Sequence, residues 1–293
     1  MTTISQLNAS ASGTFALGRD LHIHRLGFGA MRITGEGIWG EPNDPEGAKQ
    51  VLRHAIELGV NFIDTADSYG PEVSERLIAE ALYPYPKDLV IATKGGLTRS
   101  GPNRWAPVGR PEYLRQCVEM SLRRLRVERI DLWQLHRIDP KVPVAESLGA
   151  IKELQNQGKI RHVGLSEVSS KEIEQAKKTV AIVCAQNQYN IGDRKSEDTL
   201  KYCEKHKLGF IPWFPVAAGQ LARSGGPLDA AAKRHHATVA QLSLAWLLHH
   251  SPVTLPIPGT SSVAHLEENI GAGAVKLSAD EWKTIESEGA KAK

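Results

Sequence analysis

Short runs rich in β-branched and aromatic residues alternate with longer stretches in which apolar residues recur every three to four positions. The first pattern predicts buried strands and the second predicts amphipathic helices. The alternation repeats about eight times and so favours a parallel sheet built from βα units. The predicted strands are RLGFGAM (25–31), VNFIDT (60–65), LVIATK (89–94), RIDLWQLH (129–136), IRHVGLS (160–166), VAIVCAQNQ (180–188), GFIPWF (209–214) and VTLPIP (253–258).

The helical stretches carry start and stop signals. In DPEGAKQVLRHAIELG, Asp44 is the predicted N-cap, Pro45 the first helical residue and Gly59 the stop. Eight strand–helix units in 293 residues predict a closed (β/α)₈ TIM barrel. Before the first unit, TFALG and LHIHRLG flank a polar turn at 18–20, which predicts a short N-terminal β-hairpin.

An open doubly wound sheet is the competing architecture. It would place G-x-G-x-x-G after the first strand, and Gly27 and Gly29 begin that pattern, but position 32 is Arg. The lone G-x-G is therefore interpreted as a tight turn at a strand end. Because no Pro/Ser-rich linker or shift in composition divides the chain, residues 1–293 are predicted to form a single barrel domain.

The composition excludes several classes of partner. A net charge of +3 without a dense basic block argues against nucleic acid, and no stretch reaches the ~18 apolar residues of a membrane span. The beginning of the chain lacks the pattern of a secretory signal, and Cys117, Cys184 and Cys203 are widely spaced. We expect a cytoplasmic protein with reduced thiols that acts on a small molecule, and we leave its oligomeric state open.

Four polar residues stand at or just after successive predicted strands: Asp64, Tyr69, Lys94 and His136. In a barrel, strand C-termini converge on the face that carries the active site. A phenol with a reference pKa of about 10 is a weak acid near neutrality, and an ammonium at Lys94 is expected to lower the pKa of Tyr69. Asp64 can hold Lys94, and His136 can donate to a carbonyl oxygen. The set predicts a general acid and an oxyanion site beside a hydride acceptor.

Other chemistries fit these residues less well. Lys94 could form a Schiff base in an aldolase, with Asp64 and Tyr69 moving protons. Gly164-Leu165-Ser166 begins a nucleophile elbow, but position 168 is Val instead of Gly. The histidine pairs at 235–236 and 249–250 lack metal-binding spacing, so no metal site is predicted.

Several longer motifs resemble the aldo-keto reductase family, in the family's order. They are GVNFIDTADSYG (59–70), KGG (94–96), DLWQLH (131–136), GKIRHVGLSEVS (158–169), QNQYN (186–190) and PIPGTSSVAHLEEN (256–269). The segments GPEVSE (70–75), ALYPYP (81–86) and IPGTSSVAHL (257–266) are similar to bacterial NADPH-dependent pyridoxal reductases. The resemblance implies an NADPH-dependent oxidoreductase that reduces an aldehyde or ketone without metal or flavin. A regulatory or redox-sensing subunit that binds NADPH with negligible turnover is the alternative.

The resemblance also assigns cofactor positions. Ser166 and Gln188 would hold the nicotinamide carboxamide, Trp213 would stack on the ring, and Glu167 replaces the family's usual Asn. The segment 214–219 would cover the pyrophosphate and 259–269 would hold the adenosine. The expected cofactor-binding residues are Gly29, Met31, Asp64, Ser166, Glu167, Gln188, Trp213, Phe214, Pro215, Val216, Gly219, Ile257, Gly259, Ser261, Ser262, His265, Glu268 and Asn269.

NADPH is expected over NADH because of the segment 259–262, Gly-Thr-Ser-Ser at a helix start. Such a segment supplies N–H and hydroxyl donors for a 2′-phosphate. His265 stands where many NADPH-specific family members carry Arg, and the usual basic partners are missing.

Two long loops, 33–44 and 96–111, are expected to set substrate specificity. They offer Trp39 and Trp105 as pocket walls, although either indole could instead pack under its own loop. Pyridoxal or another small aromatic aldehyde is the substrate hypothesis.

Overall fold

The computed structural model describes residues 7–216 and 228–290. Seven parallel strands form one curled sheet. Their bounds are β3 (Phe28–Gly29), β4 (Phe62–Asp64), β5 (Val90–Gly95), β8 (Ile130–Leu135), β9 (Ile160–Ser166), β10 (Ile182–Gln188) and β11 (Gly209–Trp213). They lie side by side in the order β11-β10-β9-β8-β5-β4-β3. The predicted (β/α)₈ barrel is confirmed, with each of these strands shorter than or equal to its predicted run.

The eighth predicted strand, 253–258, closes the barrel without forming a regular strand. On one side its backbone exchanges hydrogen bonds with Phe210, and on the other Gly27 and Gly29 donate to the carbonyls of Pro256 and Pro258. Proline has no N–H, so the two prolines interrupt the ladder that a regular strand would need. The segment thus links β11 to β3 by fewer hydrogen bonds than a regular strand would make.

The N-terminal hairpin is also confirmed. The strands β1 (Thr14–Leu17) and β2 (Leu21–His24) pair antiparallel. Leu17, Leu21 and Ile23 are buried in a cluster with strand residues that include Phe62 and Leu132. This apolar cluster fills the barrel interior, and the polar side chains gather near the carboxyl ends of the strands.

Helices alternate with the strands and pack their apolar faces on the sheet. The helices are α1 (Pro45–Glu57), α2 (Val73–Leu82), α3 (Pro111–Leu125), α4 (Val144–Asn156), α5 (Ser170–Lys177), α6 (Glu197–His206), α7 (Asp229–Arg234), α8 (Val239–His250), α9 (Val263–Gly271) and α10 (Ala279–Ala290). Asp44 caps α1 as predicted, since its side chain accepts from the Gly47 N–H and Pro45 begins the helix. Within the described ranges, no helix is long and apolar enough to cross a membrane.

One element was not predicted. The insert 96–111 folds into an antiparallel hairpin of β6 (Leu97–Gly101) and β7 (Arg104–Pro107). It follows β5 directly, so it stands at the end of the barrel where the polar side chains lie.

Candidate active site

The four candidate catalytic side chains meet in the structure because their strand ends are neighbours in the sheet. Asp64 ends β4, Lys94 lies near the end of β5, and His136 follows β8. Tyr69 comes from the loop between β4 and α2. All four are buried, and Lys94 is fully inaccessible to solvent.

Lys94 is the centre of this cluster. Its Nζ donates to Asp64 Oδ2 at 2.5 Å, to the Thr65 carbonyl at 2.8 Å and to Tyr69 Oη at 3.3 Å. An ammonium has three N–H donors, and three acceptors surround this one. Lys94 is therefore held in one position directly beside the phenol oxygen.

The other oxygen of Asp64 has partners that sequence reasoning missed. Gln134 Nε2 and Gln186 Nε2 donate to Asp64 Oδ1 at 3.0 and 2.8 Å. Both glutamines are buried on strands, and in the sheet register Gln134 lies opposite Lys94. Polar residues at alternate positions, Gln134 before His136 and Gln186 before Gln188, were the available signal.

Burial and neighbouring charges determine the protonation of Lys94 and Tyr69. Burial alone would lower the pKa of Lys94, but Asp64 and Tyr69 together outweigh burial and raise the pKa above its ordinary value. For Tyr69 the expected effect of Lys94 on the pKa is present, but burial acts in the opposite direction and has the larger effect. Burial raises the pKa of Tyr69 above its ordinary value, and Lys94 offsets only part of that rise. The phenol therefore keeps its proton at neutral pH and is available as an acid.

His136 lies across from Tyr69, with the two ring centroids 5.8 Å apart. Burial, together with the positive charges of Lys94 and Arg137, holds the pKa of His136 well below its usual range. The imidazole is therefore neutral at pH 7. Its Nδ1 is 3.3 Å from Ser68 Oγ, and a hydroxyl that donates there leaves the Nε2 proton for another acceptor.

A cavity of about 640 Å³ opens above Tyr69 and His136. It also reaches most of the residues expected to bind cofactor. Those that line it are Gly29, Met31, Asp64, Ser166, Trp213, Phe214, Pro215, Val216, Ile257 and Gly259. Of the two tryptophans proposed as pocket walls, Trp105 lines the cavity. Trp39 is not among the described residues that line it, and its side chain is exposed.

Gln188 is not among the described residues that line the cavity, whereas Gln186 lines it together with Ser166. Ser166 and Gln186 are opposite each other in the register of β9 and β10, whereas Gln188 is one pleat further along. Gln186 is therefore the amide beside Ser166 in the cavity lining.

Glu167 does not line the cavity either, but it contacts a residue that does. Its Oε1 accepts from Trp213 Nε1 at 2.6 Å and from the Gln188 N–H at 2.7 Å. Glu167 adopts a left-handed backbone, with φ of 55°. The carboxylate thus orients the indole instead of pointing into the cavity.

The expected adenosine end begins at a close backbone approach. A Cβ added to Gly29 would lie 2.5 Å from the Ile257 carbonyl, and one added to Gly259 would lie 2.5 Å from the Gly29 carbonyl. Beyond it, Ser262 caps α9 and His265 is exposed. Ser261, Ser262, His265, Glu268 and Asn269 lie outside the cavity lining, and Gly219 lies outside the described residues.

Two basic side chains in the cavity lining were not predicted to bind anything. Arg32 lies beside Gly259, and Arg137 Nη1 donates to Ser166 Oγ at 3.0 Å. Arg32 occupies the position where an open nucleotide-binding fold would need glycine. It places a positive charge at the end of the cavity where the cofactor phosphates are expected.

Asp67, on the same loop as Tyr69, is a buried carboxyl whose Oδ1 has no hydrogen-bond partner in the described part of the chain. Burial, and secondarily the charge of Glu75, raises the pKa of Asp67 to about 7. The folded protein therefore binds this proton up to a higher pH than the unfolded chain does. The free energy of unfolding should fall as pH rises from about 4 to about 7.

Asp67→Asn should remove this fall in the free energy of unfolding with rising pH. We expect the variant to be more stable than the parent protein above pH 7, by up to about 4 kcal/mol, with the difference vanishing towards pH 4. Urea unfolding at several pH values measures it, with Asp88→Asn at an exposed position as the control. A stability difference that does not change with pH would show that the Asp67 carboxyl titrates normally.

Comparison with known proteins gives a consistent result. The model of the Aldo/keto reductase family matches residues 25–289. An uncharacterized oxidoreductase of Schizosaccharomyces pombe is 53% identical over 97% of this chain and 92% of its own length. Pyridoxine 4-dehydrogenase of Escherichia coli is 41% identical over 94% of this chain and 98% of its own.

A solved structure agrees with these relatives. The aldo/keto reductase from Klebsiella pneumoniae in complex with NADP and acetate superimposes with a TM-score of 0.80 at 26% identity, over 94% of this chain and 95% of its own. Together with the family match over most of the chain, the similarity shows that this protein belongs to the aldo/keto reductase family.

Proposed function

We propose that this oxidoreductase reduces an aldehyde or ketone to the alcohol with NADPH, and that Tyr69 supplies the proton. The observation that carries the proposal is the position of Tyr69. Its Oη is 3.3 Å from the buried Lys94 ammonium and its side chain lines a cavity shared with His136. A protonated phenol beside a fixed positive charge can give up its proton as negative charge develops on a carbonyl oxygen.

NADPH fits the residues that line the cavity. Gly29 and Gly259, whose backbones approach each other closely, line the cavity, and Ser166 and Gln186 present polar groups for a carboxamide. Trp213, oriented by Glu167, presents an indole for a planar ring. Arg32 supplies a cation for a phosphate. The cofactor supplies the hydride when it is bound.

In this proposal each protein group has one task at the carbonyl. His136, neutral at pH 7, donates a hydrogen bond to the carbonyl oxygen and orients it. Tyr69 Oη transfers its proton to that oxygen, and Lys94 stabilises the phenolate that remains. Asp64, fixed by Gln134 and Gln186, keeps Lys94 charged and in place.

The cavity walls around Tyr69 and His136 suit an aromatic substrate. Ile38, Leu97, Trp105, Pro107 and Ile138 line the cavity and are apolar. Because a relative at 41% identity is a pyridoxine 4-dehydrogenase, we propose the pyridoxal and pyridoxine pair as substrates. In the proposed direction, the aldehyde of pyridoxal becomes the alcohol of pyridoxine.

The loss of NADPH absorbance with pyridoxal, other aromatic aldehydes and short aliphatic aldehydes tests this function. We expect turnover with NADPH, greatest for pyridoxal or another aromatic aldehyde, and less with NADH. If NADPH binds by fluorescence titration but no carbonyl in the panel is reduced, the reductase proposal fails. That result would favour a regulatory subunit that binds NADPH with negligible turnover.

The preference for NADPH leads to a separate prediction. His265 is exposed in the first turn of α9, and Arg there would add a permanent charge for the 2′-phosphate. We expect His265→Arg to lower KM for NADPH about fivefold, with KM for NADH unchanged. Equal effects on the two cofactors would contradict the placement of the 2′-phosphate at this helix start.

A further inference from the structure

Arg99, on β6, has a side chain whose donors are all used. Its five N–H groups donate to five main-chain carbonyls. The bonds run from Nε to Arg104 at 3.1 Å, from Nη1 to Ile38 and Ser68 at 2.7 Å each, and from Nη2 to Gly37 at 3.0 Å and Gly101 at 3.3 Å. A guanidinium offers five donors in a fixed plane. Arg99 therefore joins the segments 37–38, 68 and 101–104.

The face of the same guanidinium packs on Trp105. Arg99 Cζ lies 3.5 Å from the Trp105 ring centroid, within the range of a cation–π contact. Trp105 in turn stands edge-on to Tyr69, with centroids 6.4 Å apart, and 6.3 Å from the ring of His136. The indole is thus a wall of the cavity beside the proposed acid and oxyanion donor.

Arg99 also contacts the loop that carries Tyr69, but that loop keeps bonds of its own, since the Tyr69 N–H donates to the Ala66 carbonyl at 3.2 Å and the Ser74 N–H donates to the Tyr69 carbonyl at 3.1 Å. Ser68, whose carbonyl accepts from Arg99, precedes Tyr69 and lies 3.3 Å from His136 Nδ1 through its hydroxyl. Ile38, another acceptor, also takes the Gly70 N–H at 3.3 Å. A single side chain therefore fixes the hairpin that carries Trp105 relative to the loop that carries Tyr69.

We propose that Arg99 is a positioning residue that holds Trp105 in place as the wall for the ring of an aromatic substrate. This inference rests on the proposed reductase function. An aliphatic aldehyde such as propanal has no ring to pack on that wall. Loss of Arg99 should therefore raise KM for aromatic aldehydes and leave the kinetics with propanal nearly unchanged.

A double-mutant cycle tests whether Arg99 acts through Trp105. We expect Arg99→Met and Trp105→Ala each to raise KM for an aromatic aldehyde about tenfold, with kcat within about threefold. The double variant should raise KM no more than about twentyfold. Arg99→Lys, which keeps the charge but has only three donors, should be intermediate. Arg115→Met, on the surface of α3, is the matched control.

Two kinetic outcomes would overturn the inference. One is a hundredfold rise in KM in the double variant, because the effects of two independent substitutions multiply. The other is a loss of kcat in Arg99→Met with propanal as well as with the aromatic aldehyde, because that would show that Arg99 acts on Tyr69 and His136 instead of on Trp105. Thermal unfolding and NADPH titration of each variant check the fold, and Arg99→Lys supplies the answer if Arg99→Met does not fold.

A spectroscopic readout separates failure of this inference from failure of the proposed function. The indole N–H resonance of Trp105, assigned with Trp105→Phe, should shift in Arg99→Met, while that of the buried Trp246 should not. If the parent protein reduces no carbonyl, the proposed function fails and the resonance still tests the positioning role. An unmoved Trp105 resonance would overturn that role.

Discussion

Replacing Tyr69 with Phe is expected to lower kcat for carbonyl reduction about 1000-fold and to leave NADPH affinity within about twofold. The substitution removes one oxygen, and in the described structure that oxygen hydrogen-bonds to Lys94 at 3.3 Å. Lys94 keeps its bonds to Asp64 and to the Thr65 carbonyl, so the fold around it should survive. The loss should therefore fall on the transition state, where the phenol proton is transferred.

Steady-state kinetics and fluorescence titration of NADPH measure the two quantities. Tyr83→Phe is the matched control, because Tyr83 is 51% exposed and lies away from the cavity. If Tyr69→Phe keeps kcat within threefold of the parent protein, Tyr69 is not the acid. If it loses NADPH binding instead, the phenol serves the cofactor.

Lys94→Met is expected to damage both activity and stability. It leaves Asp64 charged and buried with only the two glutamine amides as donors, and breaking a buried ion pair costs about 3–5 kcal/mol of unfolding free energy. It also removes the charge that stabilises the Tyr69 phenolate, so kcat should fall at least about 100-fold. Lys195→Met, at a side chain that is 89% exposed, is the control.

A second variant distinguishes the two effects. Asp64→Asn combined with Lys94→Met removes both charges, so part of the lost stability should return. Activity should stay low, because the charge beside Tyr69 is still missing. Urea unfolding and kcat are measured on both variants. A double variant that recovers kcat would rule out the role proposed for Lys94.

The barrel could be predicted from the sequence because its signals are local and repeat. Strand runs, the Asp44 cap and the hairpin turn at 18–20 each depend on neighbouring residues, and the described structure has seven of the eight predicted strands, the cap and the hairpin. The closing segment was harder to predict. The run 253–258 is apolar enough for a strand, but Pro256 and Pro258 remove the donors that a regular strand needs.

The convergence of Asp64, Tyr69, Lys94 and His136 could also be anticipated, because strand ends meet on one face of a barrel. The residues that contact these four side chains could not be predicted from the sequence in the same way. Gln186 and Gln188 are on the same face of β10, and only the register shows that Gln186 is beside Asp64. Arg99 gives no periodic signal, because its partners are backbone carbonyls from distant parts of the chain.

The direction of the Tyr69 pKa shift illustrates the same limit. Sequence identifies a neighbouring ammonium but not the depth of burial, and burial has the larger effect at Tyr69. The net result is a phenol that keeps its proton, which suits an acid better than a base.

Transfer of deuterium from the cofactor tests the central proposal most directly. The protein would be mixed with pyridoxal and NADPH carrying deuterium at C4 of the nicotinamide, on each face in turn, and the alcohol analysed by mass spectrometry. We expect one of the two cofactors to give pyridoxine with a single deuterium on the carbinol carbon, and the Tyr69→Phe variant to give almost none. Pyridoxine that contains no deuterium from either cofactor, or no pyridoxine while a second aromatic aldehyde is also left unreduced, would contradict NADPH-dependent carbonyl reduction at this site.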